Sequence, residues 1–359
     1  MRSSISNSNP HSTRNAVIAF AITFSICAGL GLLFHHYFPL ESWMGNLPVL
    51  DKGDGYMVME TDSDQAFDLY AMYYGIENSA REAPKADVLI LGNSKPFFAF
   101  RNESVKVFTE KTGIRVYNLS VPYGDGLAMA KAFIDQLRLS PSIIVINENH
   151  FFSSGFSPYG EETLKMGYCQ AFLKVVEHNI SWFLRSHLHR LFPRLGLGKI
   201  YGAEPVVAYR SVQTGCLASG NFDENPVPVA SRGHGQESLS PDEFKNASRF
   251  IQKMKSRGIK IILTSIPYGT DETGRLDQSI KNDEKRMLIS KAEEPYQNVD
   301  AAARLLGLPL IVVKPDGMET FDGRHLDEKS GLQFARLFFN EFLKRPEVKT
   351  LLNFRRPIN

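Results

Sequence analysis

Residues 87–95 read Asp-Val-Leu-Ile-Leu-Gly-Asn-Ser-Lys, an apolar run that ends in glycine and is followed at once by polar residues. A short apolar run bounded by a turn residue is typical of a strand that is buried on both faces. Four later runs share this character, and they cover 113–119, 142–147, 258–265 and 308–313. Because predicted helices alternate with these runs, the sequence predicts an α/β fold, a three-layer α/β/α sandwich around a mostly parallel sheet of five strands.

The helices of this predicted sandwich lie between the strands or flank them. They cover 63–80, 127–139, 241–257, 294–306 and 330–342. The stretch 151–240 breaks the alternation, is rich in Gly, Pro and aromatic residues, and is too long for a simple loop. We interpret 151–240 as an inserted lid or substrate-binding subdomain.

Composition excludes several classes of protein. The 359 residues carry a formal net charge of +2 without a long basic run, which argues against a nucleic-acid binder. Three cysteines cannot build a disulfide scaffold, and the absence of a Cys-x-x-Cys pair removes zinc ribbons and thioredoxin-type sites. What remains is a globular protein with an unusual N-terminus.

That N-terminus contains one long apolar segment. Residues 16–34 include no charged residue over 19 positions, which suits a helix that spans a bilayer. A cleaved signal peptide or a buried core helix is the alternative, but the run exceeds a usual signal core and no small-x-small site follows it. We therefore predict a cytoplasmic tail over 1–15 and an uncleaved transmembrane anchor over 16–38.

Positive residues beside this anchor set its predicted orientation. Arg2 and Arg14 precede it, whereas Lys52 is the only basic residue in 41–64. The rule that positive residues stay inside then predicts a single-pass protein of the cytoplasmic membrane whose body is periplasmic or otherwise extracytoplasmic. In that oxidising space Cys169 and Cys216 either pair or remain thiols, and the sequence leaves both possibilities open.

Polar residues and glycines follow the predicted strands at their carboxyl ends, where ligands of open α/β sheets bind. They are Ser94 after the first strand, Gly124 and Gly126 after the second, Asn147, Asn149 and His150 after the third, and Asp322 and His325 after the fifth. Each motif alone has an ordinary explanation, such as a helix cap, a tight loop or a strand end. Together, a serine, an aspartate and a histidine are the groups of nucleophilic acyl chemistry.

In this order and spacing, the motifs resemble the SGNH superfamily, also called GDSL-like hydrolases, over roughly residues 87–340. The resemblance implies that Ser94 is the nucleophile, that His325 is the general base and that Asp322 orients the imidazole. It also implies a flavodoxin-like sandwich as the catalytic domain, over 83–345. Residues 39–82 would form a linker and a leading helix, and 346–359 would form a C-terminal tail.

The oxyanion hole implied by the resemblance consists of the backbone N–H groups of Ser94 and Gly124 and the side chain of Asn149. Two positions depart from the family pattern. The second block has one extra residue, so Gly126 rivals Gly124, and the third reads Asn-Glu-Asn-His, so Asn147 rivals Asn149. A triad with an oxyanion hole needs neither a metal nor a cofactor.

Membrane-anchored members of this superfamily resemble polysaccharide O-acetylation proteins. The resemblance implies a serine esterase or O-acyltransferase that acts on acyl, and by similarity acetyl, esters of a cell-surface polysaccharide. A multi-spanning membrane protein would be the partner that supplies the acyl group.

Two other functions stay open from the sequence. One is hydrolysis of a small ester or a lipid, which aromatic residues of the lid such as Phe151, Phe152 and Phe156 would favour. The other is a non-catalytic module of an envelope or polysaccharide-export complex that keeps the fold.

An alkaline phosphatase fused after Asn359 tests the predicted topology. We expect the fusion to be active in a bacterial host, because this reporter forms its disulfides only outside the reducing cytoplasm. An inactive phosphatase, together with a fluorescent cytoplasmic reporter at the same position, would reverse the orientation.

Overall fold

The computed structural model describes Ser25 and residues 55–60, 67–121, 125–148, 151–152, 155–177, 207–220, 227–228, 240–267, 295–321 and 325–355. The chain divides into two units, 1–48 and 49–359. Apart from Ser25, which is helical, the first unit and the predicted anchor over 16–38 lie outside the described residues. Within the residues described, none of the helices combines the length and the apolar character that a membrane span requires.

The second unit contains ten strands and ten helices with assigned bounds among its described residues. The strands are β1 (Gly55–Glu60), β2 (Val88–Leu91), β3 (Val116–Asn118), β4 (Ile143–Asn147), β5 (Val207–Ser211), β6 (Leu217–Gly220), β7 (Val227–Pro228), β8 (Lys260–Ser265), β9 (Leu310–Val312) and β10 (Glu319–Thr320). The helices are α1 (Phe67–Tyr73), α2 (Ser79–Glu82), α3 (Ser94–Ala99), α4 (Asn102–Thr112), α5 (Leu127–Gln136), α6 (Pro158–Lys165), α7 (Pro241–Ser256), α8 (Pro295–Leu306), α9 (Glu328–Phe342) and α10 (Pro346–Arg355). A short 3-10 helix covers Ala83–Lys85.

Five of these strands form the central sheet in the order β3-β2-β4-β8-β9, and every neighbouring pair is parallel. The prediction of a mostly parallel five-stranded sheet is confirmed, with each strand inside its predicted apolar run. The chain adds β3 on one side of β2 and then β4 on the other. This reversal is the topological switch point at which open α/β sheets bind ligands beyond their carboxyl ends.

Alternating side chains of the sheet bury two separate hydrophobic clusters, which produces the three layers. On β2, Leu89 and Leu91 belong to the cluster that contains α5, α7 and α8, whereas Val88 and Ile90 belong to the cluster that contains α3, α4, α9 and α10. Both kinds of position are buried, because helices cover each face. The continuous apolar runs therefore reflect burial on both sides of the sheet.

Two smaller antiparallel sheets lie outside the prediction. One has the order β1-β5-β6, and the other pairs β7 with β10. The predicted linker is thus wrong for residues 55–60, which form β1 and pair with β5. Local sequence could not show this pairing, because the partner strand lies about 150 residues later in the chain.

Two further boundaries differ from the sequence interpretation. The helix predicted over 63–80 is interrupted after Tyr73 by a turn that contains Gly75, a poor helix former. Part of the predicted C-terminal tail forms the helix α10. Its Val348 is buried in the same hydrophobic cluster as the apolar residues of α9. So short a helix has too few apolar positions to show a clear period.

The layer of α9 is built on stacked aromatic rings. Phe338 is 1% exposed, and its ring centroid lies 5.0 Å from that of Phe100 and 5.6 Å from that of Phe342. Phe100 belongs to the segment directly after α3, so these rings fix α9 against the helix that begins at Ser94.

We expect Phe338→Ala to lower the free energy of unfolding by about 3–5 kcal/mol, because it leaves a cavity among rings that cannot collapse fully. Urea unfolding followed by circular dichroism measures this change. Val107→Ala serves as the control, since Val107 is 46% exposed on α4. Equal effects of the two substitutions would contradict the assigned core.

Candidate active site

Ser94 is the first residue of α3, and two residues separate it from the end of β2. The Asn93 side chain caps the helix by accepting a hydrogen bond from the Lys95 backbone N–H at 3.1 Å. Gly92 makes the turn possible, since a Cβ there would lie 2.6 Å from Pro96 Cγ and 3.1 Å from Asn147 Cβ. The sequence thus brings Ser94 to the carboxyl edge of the sheet, beside the switch point between β2 and β4.

His325 is held in a tight loop between β10 and α9. The Phe321 backbone N–H donates to the His325 carbonyl at 3.1 Å, and Thr320 forms an antiparallel bridge with Leu326. The Arg101 guanidinium donates to the Leu326 carbonyl at 3.4 Å and links this loop to the start of α4. These contacts therefore tie the residues on both sides of His325 to each other and to the start of α4.

Two aromatic rings flank the imidazole of His325. The Phe98 ring centroid lies 4.6 Å away, and the Phe321 ring lies 5.7 Å away and nearly parallel to it. Packing of this kind restricts rotation of the imidazole and removes water from its faces. The ring is consequently oriented before any substrate arrives.

The Nε2 atom of His325 lies 2.7 Å from the Oγ atom of Ser94. The two residues are separated by 231 positions in sequence, and both are half-buried. When the imidazole proton is on Nδ1, Nε2 accepts the hydrogen bond from the hydroxyl, which is the arrangement needed for the base to take the serine proton. The structure therefore brings together the two residues that the sequence predicts as nucleophile and base.

The other predicted site residues, Asp322, Gly124 and Asn149, lie outside the described residues, so their roles stay predictions. His150 lies outside them as well. Of the rival positions, Gly126 is described and is the N-cap position of α5. Among the described residues, no group of three or more His, Cys, Asp or Glu side chains is placed to hold a metal ion.

Asn147, the rival of Asn149, is a buried residue at the end of β4. Its Oδ1 accepts a hydrogen bond from the Ile266 backbone N–H at 3.2 Å, which fixes the end of β8. Its Nδ2 is buried and finds no hydrogen-bond partner among the residues that the structure describes. The side chain therefore braces two strand ends beneath Gly92 and is shielded from solvent.

Asn118 is a residue of the site region that the sequence reasoning missed. Its Nδ2 donates to the Pro96 carbonyl of α3 at 3.0 Å, and its Oδ1 accepts from the N–H and the hydroxyl of Ser120 at 3.0 Å and 2.5 Å. These bonds hold the segment after β3 against the helix of Ser94. The visible signal was the Asn-Leu-Ser sequence after an apolar run, which is typical of an Asx turn.

Lys95 and Glu148 are two charged residues beside the site that the sequence patterns did not single out. Both are buried, at 8% and 3% exposure. In sequence, Lys95 directly follows Ser94, and Glu148 directly follows Asn147. Burial raises the pKa of Glu148 from 4.5 to about 7, and the charge of Lys95 opposes that rise. Glu148 is thus a carboxyl group whose ionisation costs free energy in the folded protein.

The inserted segment is pinned to the sheet by Asp125. The carboxylate of this buried residue accepts from the N–H and the hydroxyl of Ser157, each at 2.6 Å, at the start of α6. Desolvation raises the pKa of Asp125, and the two bonds from Ser157 oppose the rise. The N-terminal end of the insertion is therefore tied directly to the segment that follows β3.

The aromatic residues expected on a lid are placed differently. Phe151 and Phe152 are 1% and 3% exposed and belong to the core cluster of α5, so their assignment to a lid surface is wrong. The apolar run around them is core packing, which sequence alone cannot distinguish from an apolar surface. Phe156 is 41% exposed.

The two cysteines of the body are both free thiols, Cys169 exposed and Cys216 buried. Burial raises the pKa of Cys216 to about 12, so this thiol is a poor nucleophile.

We expect Glu148→Gln to change how stability depends on pH. Because the folded pKa of Glu148 is raised, its contribution to stability is complete below about pH 4.5 and is lost as the pH rises through about 7. Glutamine mimics the neutral form at every pH. The free energy of unfolding of the variant should therefore rise relative to that of the wild type, by roughly 3 kcal/mol in total, as the pH increases from about 4.5 to about 7. Urea unfolding from pH 4 to pH 8.5 measures the difference.

The matched control is Glu161→Gln, which removes an exposed carboxylate that pairs with Lys165 on the surface. Its effect is expected to stay within about 1 kcal/mol. Parallel stability curves for wild type and Glu148→Gln across this range would contradict the assigned burial of a protonated carboxyl group.

Comparisons with known proteins give few matches. No known family profile matches the chain, and no curated protein matches it. Solved structures that it resembles include a GDSL-like lipase from Bacteroides thetaiotaomicron VPI-5482, with 15% identity, a TM-score of 0.33, and coverage of 77% of this chain and 98% of that chain. Another is an acylhydrolase from Bacteroides fragilis NCTC 9343, with 13% identity, a TM-score of 0.31, and coverage of 76% and 93%.

Proposed function

We propose that this protein is a serine esterase or O-acyltransferase of the SGNH type. The observation that carries the proposal is the 2.7 Å contact between Ser94 Oγ and His325 Nε2. It lies at the carboxyl edge of a parallel sheet, beside the switch point where ligands of such sheets bind. A serine that merely caps a helix needs no imidazole at hydrogen-bond distance.

The proposed reaction begins with attack of Ser94 Oγ on the carbonyl carbon of an ester, while its proton passes to His325 Nε2. The tetrahedral intermediate then collapses, the alcohol leaves with the proton from the imidazole, and an acyl-serine remains. A water molecule, or a hydroxyl group of an acceptor, repeats the two steps in reverse and releases an acid or a new ester. Proton and acyl group are thereby balanced in both halves.

Stabilisation of the oxyanion is proposed to come from three donors. The Ser94 N–H belongs to the first residue of α3, where helix geometry provides no intrahelical acceptor. Gly124 and Asn149 would supply the other two donors. Gly124 is proposed from the resemblance of the sequence motifs, with Gly126, the N-cap of α5, as its rival. Asn149 is preferred over Asn147 because Asn147 is buried under Gly92.

Asp322 is proposed to accept a hydrogen bond from His325 Nδ1 and so to fix the tautomer. The sequence supports this role, because Asp322 precedes His325 by three residues, and the Phe321 N–H before it donates to the His325 carbonyl. Charge on the imidazole in the transition state would be stabilised by the same carboxylate.

We further propose that the substrate is an acyl, preferably acetyl, ester of a cell-surface polysaccharide and that the site is extracytoplasmic. The support for this narrower proposal is the apolar segment 16–34 and the resemblance of the sequence motifs to membrane-anchored members of the superfamily. A multi-spanning membrane protein would supply the acyl group in the transferase version. Lipid hydrolysis loses support because Phe151 and Phe152 are core residues.

We expect Ser94→Ala to abolish turnover of para-nitrophenyl acetate, and Asp322→Asn to reduce it by about four decades with a residual rate. Asn149→Ala should cost about two to three decades, the usual loss for one oxyanion donor. Steady-state kinetics on folded variants measures these effects. Ser256→Ala, at the far end of α7, is the control and should keep full activity.

Labelling by a fluorophosphonate probe gives an independent readout, since only an activated serine reacts. Wild-type turnover by Ser94→Ala would show that the nucleophile is wrongly assigned. A folded wild type that cleaves no ester and takes no probe would favour the non-catalytic module. Adding a glycan acceptor to the assay separates a transferase from a hydrolase, because only a transferase forms the new ester.

A further inference from the structure

The hairpin of β5 and β6, from the inserted segment, packs against the end of β3. The backbone N–H of Asn118 donates to the Thr214 carbonyl at 2.7 Å. Gly215 allows this approach, because a Cβ there would lie 2.3 Å from the Asn118 carbonyl oxygen, and its φ is +66°. Since β3 is an edge strand of the central sheet, the hairpin turn satisfies a backbone group that the sheet leaves unpaired.

Arg210, on β5, reaches from this hairpin into the interior. Its side chain is almost fully buried, with 1% exposure. Nη1 donates to the Asn118 carbonyl at 3.0 Å, and Nη2 donates to the Ser120 carbonyl at 2.8 Å. A guanidinium is the side chain that can reach two carbonyls of one chain segment at once, because its donors form a rigid planar fork.

The same guanidinium also contacts the helix of the nucleophile. Its central carbon lies 4.9 Å from the centre of the Phe97 ring on α3. Phe97 and Phe98 form a small buried cluster with Leu217 of β6, and Phe98 in turn packs against the His325 ring. The hairpin therefore touches the helix that begins at Ser94 and the segment that follows β3.

We propose that Arg210 is a positioning residue that holds the segment after β3, residues 118–121, at a fixed distance from α3. This inference rests on the proposed function, because it assumes that Gly124, which follows this segment in sequence, and Ser94 on α3 donate to the same oxygen. Two donors on separate segments stabilise that oxygen only if the spacing between the segments is fixed. Arg210 binds the carbonyls of one segment and packs on a ring of the other.

The cost of this arrangement argues for a specific role. A buried guanidinium loses its hydration, and hydrogen bonds to carbonyls together with packing on an aromatic ring offset that cost. An apolar side chain of similar length would fill the same space without this cost, but it would leave the two carbonyls without a donor. The arginine therefore does more than fill space, because its donors fix the positions of the two carbonyls.

The test uses the full-length chain, in a detergent that accommodates the predicted anchor, with the variants Arg210→Lys and Arg210→Met. We expect kcat for para-nitrophenyl acetate to fall by about ten- to a hundredfold in Arg210→Met, because a shift of about 1 Å in a catalytic group has this effect. KM should stay within about twofold, since the oxyanion exists only in the transition state. Arg210→Lys keeps the charge without the fork and should lie between.

Amide hydrogen exchange provides a readout that needs no activity. Peptides that cover 118–126 should exchange faster in both variants, while peptides of α9 and β9 stay unchanged. The matched control is Arg345→Met. Arg345 also donates to a backbone carbonyl, that of Leu310 on β9, which is the edge strand on the other side of the sheet from β3. This control should leave kcat and exchange in 118–126 unaltered.

The outcomes separate this inference from the proposed function. A wild type without esterase activity or probe labelling would remove the proposed function, and exchange in 118–126 would still report on the segment after β3. Folded variants with wild-type kcat and wild-type exchange would overturn the positioning role. If neither variant gives a cooperative melting transition, Arg210 serves folding as a whole, which would also overturn it.

Discussion

The parallel pairing of β2 with β3 and β4 is the constraint on which the rest of the structure depends. Parallel strands end at the same edge of a sheet, so the segments that follow them meet there whatever their separation in sequence. Ser94, Asn118 and Glu148 are neighbours of this edge for that reason. The last loop before α9 then needs only to close tightly for His325 to reach Ser94.

Two glycines allow the chain segments at that edge to pack closely, because they have no side chain. Gly92 has no side chain, so the end of β2 can approach Pro96 and Asn147 within van der Waals distance. Gly331 plays a similar steric part on α9, where a Cβ would lie 2.6 Å from the Phe98 carbonyl. Because α9 can lie this close to α3, the loop before it brings the imidazole against the serine. The distance between Ser94 Oγ and His325 Nε2 is thus a consequence of helix packing.

Local sequence patterns predicted the elements whose signals are local. Buried parallel strands leave continuous apolar runs. Ser94 and His325 were paired because the motifs after these runs, taken together, resemble those of the SGNH superfamily. The capping box of α7, in which Ser240 and Glu243 bond each other reciprocally, is likewise made by residues close in sequence. The pairing of β1 with β5 could not be predicted in this way, because the two strands are far apart in the chain. Each strand is also too short to show a clear alternation of apolar and polar residues.

Buried polar residues were also beyond the reach of the sequence. Arg210 stands in an ordinary stretch, Val-Ala-Tyr-Arg-Ser, and nothing in that stretch distinguishes a buried guanidinium from an exposed one. Lys95 and Glu148 read as solvent-exposed charges, since such residues are almost never fully buried unless paired. Their burial follows from tertiary contacts at the sheet edge. These contacts join segments that are far apart in sequence, so no short stretch of sequence reveals them.

Three buried polar groups lie where the proposed chemistry takes place. Glu148, Asn147 and Thr264 each have a buried polar atom that finds no hydrogen-bond partner among the described residues, and all three lie at the carboxyl ends of β4 and β8. Apolar residues at these positions would avoid the desolvation penalty of such atoms, so the arrangement lowers stability. Val88 and Ile143, which begin β2 and β4 at the other end of these strands, are apolar and 1% exposed. The serine and the imidazole thus lie beside polar atoms whose burial lowers stability, as is expected where local polarity serves a site rather than folding.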